Sequence, residues 1–139
     1  MKQGMAAAFL MLAVSGIDNV LSAHHSFAAE YDRNKPVTLM GAVTRVEWTN
    51  PHVYFYIDVK EPAGIVATWA IEGGAPNTLY RAGWRKDSLK IGDVVTVHGF
   101  LARDGTKLAN MSTVLLADGR EVLGGQQGAG APPPKPPGR

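Results

Sequence analysis

His52-Val53-Tyr54-Phe55-Tyr56-Ile57-Asp58-Val59 decides how this chain is read. Val53, Phe55, Ile57 and Val59 fall on one side of an extended backbone, and His52, Tyr54, Tyr56 and Asp58 on the other. That period of two is the mark of a strand with one face in a core. Thr49-Asn50-Pro51 before it and Glu61-Pro62-Ala63-Gly64 after it have turn composition. Outward from there, Val37 to Trp48 reads as a long first strand, bent at its interior Gly41. Ile65 to Glu72 reads as a third strand, with Ala67, Trp69 and Ile71 inward.

The period then changes. Gly73-Gly74-Ala75-Pro76 opens a short helix, with Pro76 suited to its first turn and Gly83 placed to stop it. Val94 to Leu101 and Leu108 to Leu116 are the fourth and fifth strands, joined by an Arg103-Asp104-Gly105-Thr106 hairpin turn. Arg120 to Leu123 offers one more short strand. Three strands, a helix and two strands, beginning with a long bent strand, is the element order of the OB-fold. The expectation is therefore a mostly β, five-stranded Greek-key barrel with one short helix between strands 3 and 4.

The domain occupies residues 37–123. Ahead of it, residues 1–23 read as a signal peptide: Lys2 is followed by the apolar run Met5 to Val14. That run is shorter than the roughly 20 residues a membrane span needs, but it suits a signal-peptide core. Cleavage after Ala23 would make His24 the mature N-terminus and leave no membrane span. Residues 24–36 read as a polar lead-in. Residues 124–139, rich in glycine and proline and ending Pro-Pro-Pro-Lys-Pro-Pro-Gly-Arg, read as a disordered tail. The chain has 139 residues, room for one domain, and no cysteine, which excludes disulfides and thiolate metal sites. Its formal net charge is +2, and Lys135 and Arg139 of the tail account for that excess. No basic field is left to attract nucleic acid.

Several segments together resemble a family of small exported proteobacterial proteins of unknown function. They are His24-His25-Ser26-Phe27-Ala28-Ala29-Glu30-Tyr31-Asp32, Glu47-Trp48-Thr49-Asn50-Pro51-His52 and Trp69-Ala70-Ile71-Glu72-Gly73-Gly74. Gly83-Trp84 with Asp87-Ser88-Leu89, and Gly92-Asp93 leading to Val97, complete the set. The resemblance spans roughly His24 to Leu123. It implies a periplasmic location and no defined activity.

Function rests on the histidines. A mature His24 would offer an amine and a ring nitrogen to one metal, and His25 or His52 would add an imidazole. Such nitrogen-rich sites suit Cu(II) or Zn(II). The expected metal residues are thus His24, His25 and His52, with copper or zinc as the expected cofactor. The structural alternative leaves His24 and His25 in a frayed terminus and His52 bonded to the turn. His98, beside Val94 and Thr96, reads as a surface strand position. Trp48, Tyr54 and Tyr56, with Asn50 and Glu72, form a candidate binding face for a protein or envelope component. No nucleophile, acid–base pair or phosphate loop is recognisable, so the chain is not read as an enzyme.

Overall fold

In the computed structural model, which describes residues 27–125, the organising element is strand β1 (Tyr31–Glu47). One stretch of it pairs antiparallel with β4 (Val94–Ala102), and its C-terminal part pairs antiparallel with β2 (Tyr54–Lys60). The two partners meet it together at Gly41, which stands opposite Val59 in one ladder and Val95 in the other. A Cβ on Gly41 would lie 2.4 Å from the carbonyl oxygen of Asp58, so only glycine permits this approach. A register shift between Val43 and Arg45 adds a bulge that turns the strand further.

Beyond β2 lie β3 (Val66–Glu72) and helix α2 (Pro76–Arg81), and the chain closes with β5 (Leu108–Leu115) and β6 (Glu121–Leu123). A one-turn helix, α1 (Phe27–Glu30), precedes β1. The sheet runs β3-β2-β1-β4-β5-β6, and β3 also pairs in parallel with β5, Ala70–Glu72 against Leu108–Asn110. Among the described residues the fold is a mostly β, largely antiparallel sheet of six strands with two short helices.

The alternation of the second strand decides the core. Val53, Phe55, Ile57 and Val59 are buried while Tyr54, Tyr56 and Asp58 are half-exposed. Across the ladders Phe55 meets Ile71 and Val46, and Ile57 meets Trp69 and Val43. Val95, Val97, Ala109, Met111 and Val114 fill the other side. Leu79 of α2 and the fully buried Trp84 close one end, with the Trp84 indole N–H donating to the Leu123 carbonyl at 2.7 Å. Gly83, at φ 99°, reverses the chain after the helix.

Four expectations need correction. The sheet has a sixth strand, because Asp118-Gly119 turns the chain back and Val122 is buried against Val114. A second helix, α1, joins the one expected. Residues 31–36 are strand and not lead-in: Tyr31 pairs with Ala102, Pro36 pairs with Phe100, and the Tyr31 side chain is buried. The tail boundary also moves. Gly124 is buried, its N–H donates to the Ser112 carbonyl at 2.7 Å, and its carbonyl accepts from the Gly74 N–H at 2.8 Å. The lack of a side chain is what admits it there, since a Cβ would meet the Met111 carbonyl oxygen at 2.1 Å. The signal segment 1–23 and residues 126–139 lie outside the described residues. Among the described residues no helix is long and apolar enough to cross a membrane.

Candidate functional site

Glu72 is the last residue of β3 and stands directly opposite Tyr54 in the β2–β3 ladder. Directly opposed residues share a face, so Glu72 points to the outer side of the sheet with Tyr54. It is nevertheless only 2% exposed. The ladder continues past the two strands, because the Val53 N–H donates to the Gly74 carbonyl and the Gly73 N–H to the Val53 carbonyl. His52, two residues before Tyr54, is thereby set on the same face, diagonal to Glu72. Its Nδ1 lies 2.6 Å from Glu72 Oε1, with a quarter of the imidazole exposed.

The second carboxylate oxygen is taken by a residue from far along the chain. The Tyr31 hydroxyl donates to Glu72 Oε2. The N-terminal segment is strapped in place to bring it there. Phe27 packs on Tyr31 with ring centroids 5.4 Å apart and edge-on to Phe100 at 5.7 Å. The Arg103 Nε donates to the Ala28 carbonyl and the Arg103 backbone N–H to the Glu30 carbonyl, both at 2.8 Å. Burial, followed by the hydrogen bond to Glu72, pushes the Tyr31 phenol far above its ordinary range. Burial and the negative charge of Glu72 do the same to Tyr54, which also bonds to that carboxylate. Both phenols are therefore held protonated as donors. Tyr54 and Glu72 open onto a cleft of about 460 Å³ bordered by Glu30, Arg103 and Leu108.

A carboxylate can only accept, so His52 Nδ1 is the donor in this pair. The ring's coordinating lone pair is then on Nε2. A histidine held at Nδ1 by a carboxylate is the arrangement that orients metal-bound imidazoles. Among the described residues, no group of three or more His, Cys, Asp or Glu is placed to hold a metal ion. His24 and His25 lie outside the described residues, so their relation to His52 is not part of this geometry.

The remaining expected site residues divide between two places. Trp48 packs against the edge of the core and, with the exposed Asn50, borders a separate cleft of about 500 Å³ beside α2. Tyr56 lies beneath the Arg45 guanidinium, 3.8 Å from its ring centroid, and its hydroxyl reaches Glu47 at 3.4 Å. Trp48 thus borders one cleft and Tyr54 another, and Glu72 is buried beneath Tyr31 and His52. His98 Nδ1 sits 3.0 Å from the Thr38 hydroxyl on the strand surface. Tyr31 is the residue that composition and periodicity miss. A lone aromatic between Glu30 and Asp32 carries no periodic signal, and only the His24–Asp32 resemblance marks it.

A family model described as a family of unknown function, DUF6152, matches residues 11–111. No curated protein matches. Among solved structures, a crystal structure of TiaS in complex with a tRNA and ATP aligns over 61% of this chain at 24% identity with a TM-score of 0.46. The chain covers 18% of that protein.

Proposed function

The chain belongs to the DUF6152 family of unknown function, and on that premise we propose that it is an exported, periplasmic binding module that takes Cu(II) or Zn(II) through His52 and the histidines of its mature N-terminus. The observation that carries the reading is the contact between His52 Nδ1 and the buried Glu72 carboxylate, which leaves Nε2 as the ligand nitrogen. The carboxylate fixes the tautomer and the ring orientation that a metal ion would need. Phe27 stacks on Tyr31, which donates to Glu72, and His25 and His24 come two and three residues before Phe27 in the sequence. At about 3.5 Å per residue, that stretch spans up to about 10 Å. Cleavage after Ala23 would add the His24 amine to the donor set.

The scaffold is read as an OB-like barrel. The parallel β3–β5 pairing, added to the β3-β2-β1-β4-β5 order, supports closure of five strands into a ring. The module is not proposed to catalyse a reaction.

Calorimetric titration of Cu(II) and of Zn(II) into protein with its native N-terminus tests the proposal. Saturable binding is expected, lost in His52→Ala and weakened when one residue is added ahead of His24. Equal and weak uptake by all three proteins would refute it. In that event the second reading takes over, a metal-free module contacting a protein or envelope component through the aromatic face of Trp48, Asn50, Tyr54 and Tyr56. The observation favouring it is that Trp48 and Asn50 border the cleft beside α2 while Tyr54 borders the cleft at Glu72. N-terminal sequencing of protein recovered from the periplasm tests export, and recovery of an intact chain in the cytoplasm would contradict it.

A further inference from the structure

The cleft beside α2 has a chemistry of its own. Trp48, Asn50, Pro76, Tyr80, Arg85 and Lys86 border it. Tyr80 is 58% exposed, an unusual position for a large aromatic ring on a small domain. It is also held still. The Arg85 guanidinium lies 4.0 Å from the Tyr80 ring centroid, and its Nη1 donates to the carbonyls of Tyr80 and Trp84 at 3.2 and 2.6 Å. A groove bordered by fixed aromatic rings suits a polyproline II strand. Such a strand is extended before it binds, makes no internal hydrogen bonds and loses little entropy on docking.

The same chain carries that ligand. Residues 131–137 read Ala-Pro-Pro-Pro-Lys-Pro-Pro. The described chain ends against the helix that borders the groove. A Cβ on Gly125 would lie 2.7 Å from Leu79 Cδ2 and 3.4 Å from Thr78 Cγ2, both on α2. The six residues from Gly125 to Ala131 can span about 20 Å, whereas a helix of this length is about 9 Å long. The prolines are therefore within reach of Trp48 and Tyr80. Intramolecular attachment also supplies an effective concentration in the millimolar range, enough to fill a weak site.

We propose that residues 131–137 dock in their own chain's Trp48–Tyr80 cleft, with proline rings against the two aromatic side chains. The inference goes beyond both functional readings and stands whether or not a metal binds at His52. Its charge logic is definite. The cleft is bordered by Lys86 and Arg85 and by no carboxylate that could pair with Lys135, and Arg85 is already engaged with two carbonyls and a ring. Docking is thus apolar, and added salt should strengthen it or leave it unchanged.

The test uses the full chain at two concentrations, with the indole N–H resonance of Trp48 as probe. Two variants serve for comparison. One replaces Pro132, Pro133, Pro134, Pro136 and Pro137 by Ser, and the other is Tyr80→Ala at an exposed side chain. The Trp48 resonance should move in the proline-to-serine variant by the same amount at both concentrations. Adding a synthetic peptide of residues 131–137 to that variant should return it saturably, and Tyr80→Ala should weaken that return about tenfold. Identical spectra for the parent and the serine variant would overturn the proposal. So would a shift that grows with protein concentration, which would assign the cleft to the tail of a second copy. A peptide response indifferent to Tyr80→Ala would overturn it as well.

Discussion

Removing one oxygen atom tests the buried carboxylate. Tyr31→Phe keeps the ring against Phe27 and within the core, and deletes only the hydroxyl that donates to Glu72 Oε2. Glu72 is 2% exposed, so water does not freely replace the lost donor. A hydrogen bond to a charged group contributes about 1.5–3 kcal/mol, and Glu72 would be left to His52 and Tyr54. With a urea slope of about 1.5 kcal/mol per molar, typical of small domains, the unfolding midpoint should fall by about 1–2 M at unchanged slope. The control is Tyr56→Phe, whose hydroxyl makes only a 3.4 Å contact to Glu47 on the half-exposed face. It should stay within about 0.5 kcal/mol of the parent. In a double-mutant cycle with Glu72→Gln, the Tyr31→Phe penalty should shrink, since the charge it served is gone. The reasoning is refuted if Tyr31→Phe is as mild as Tyr56→Phe, or if its penalty is unchanged in the Glu72→Gln background.

The raised phenols set an alkaline limit. Tyr31 and Tyr54 titrate near pH 10 in the unfolded chain and well above it in the folded one. Their stabilisation is complete below pH 10 and is lost as pH rises beyond it, so urea midpoints should decline above pH 10, and less steeply in Tyr31→Phe. Phe55→Ala, at a fully buried position between Val46 and Ile71, should cost about 3–5 kcal/mol by the cavity it leaves, measured by urea unfolding. A loss under about 1 kcal/mol would mean the core is not packed as described. Gly124→Ala should destabilise the domain by more than about 1 kcal/mol, because the new methyl meets the Met111 carbonyl. If it behaves like an ordinary tail substitution in thermal melts, residue 124 does not belong to the fold.

Much of this molecule is written in local pattern. The alternation from His52 to Val59 determines which side chains enter the core, because a strand's side chains must alternate whatever surrounds it. Pro76 and Gly83 bracket the helix by their own backbone limits, and Gly41 marks a point where β2 and β4 both crowd β1. Of the donors around Glu72, Tyr31 is beyond reach of that pattern. Sequence periodicity places Glu72 on an outer face, and it says nothing of a segment 41 residues upstream that folds over that face and buries it. The packed Gly124 has the same origin. A bare glycine carries too little pattern to mark it as part of the fold, yet its backbone satisfies groups on Ser112 and Gly74. Local chemistry determines which residues can form a strand or line a core, and contacts between distant segments decide which polar group is buried, and by whom.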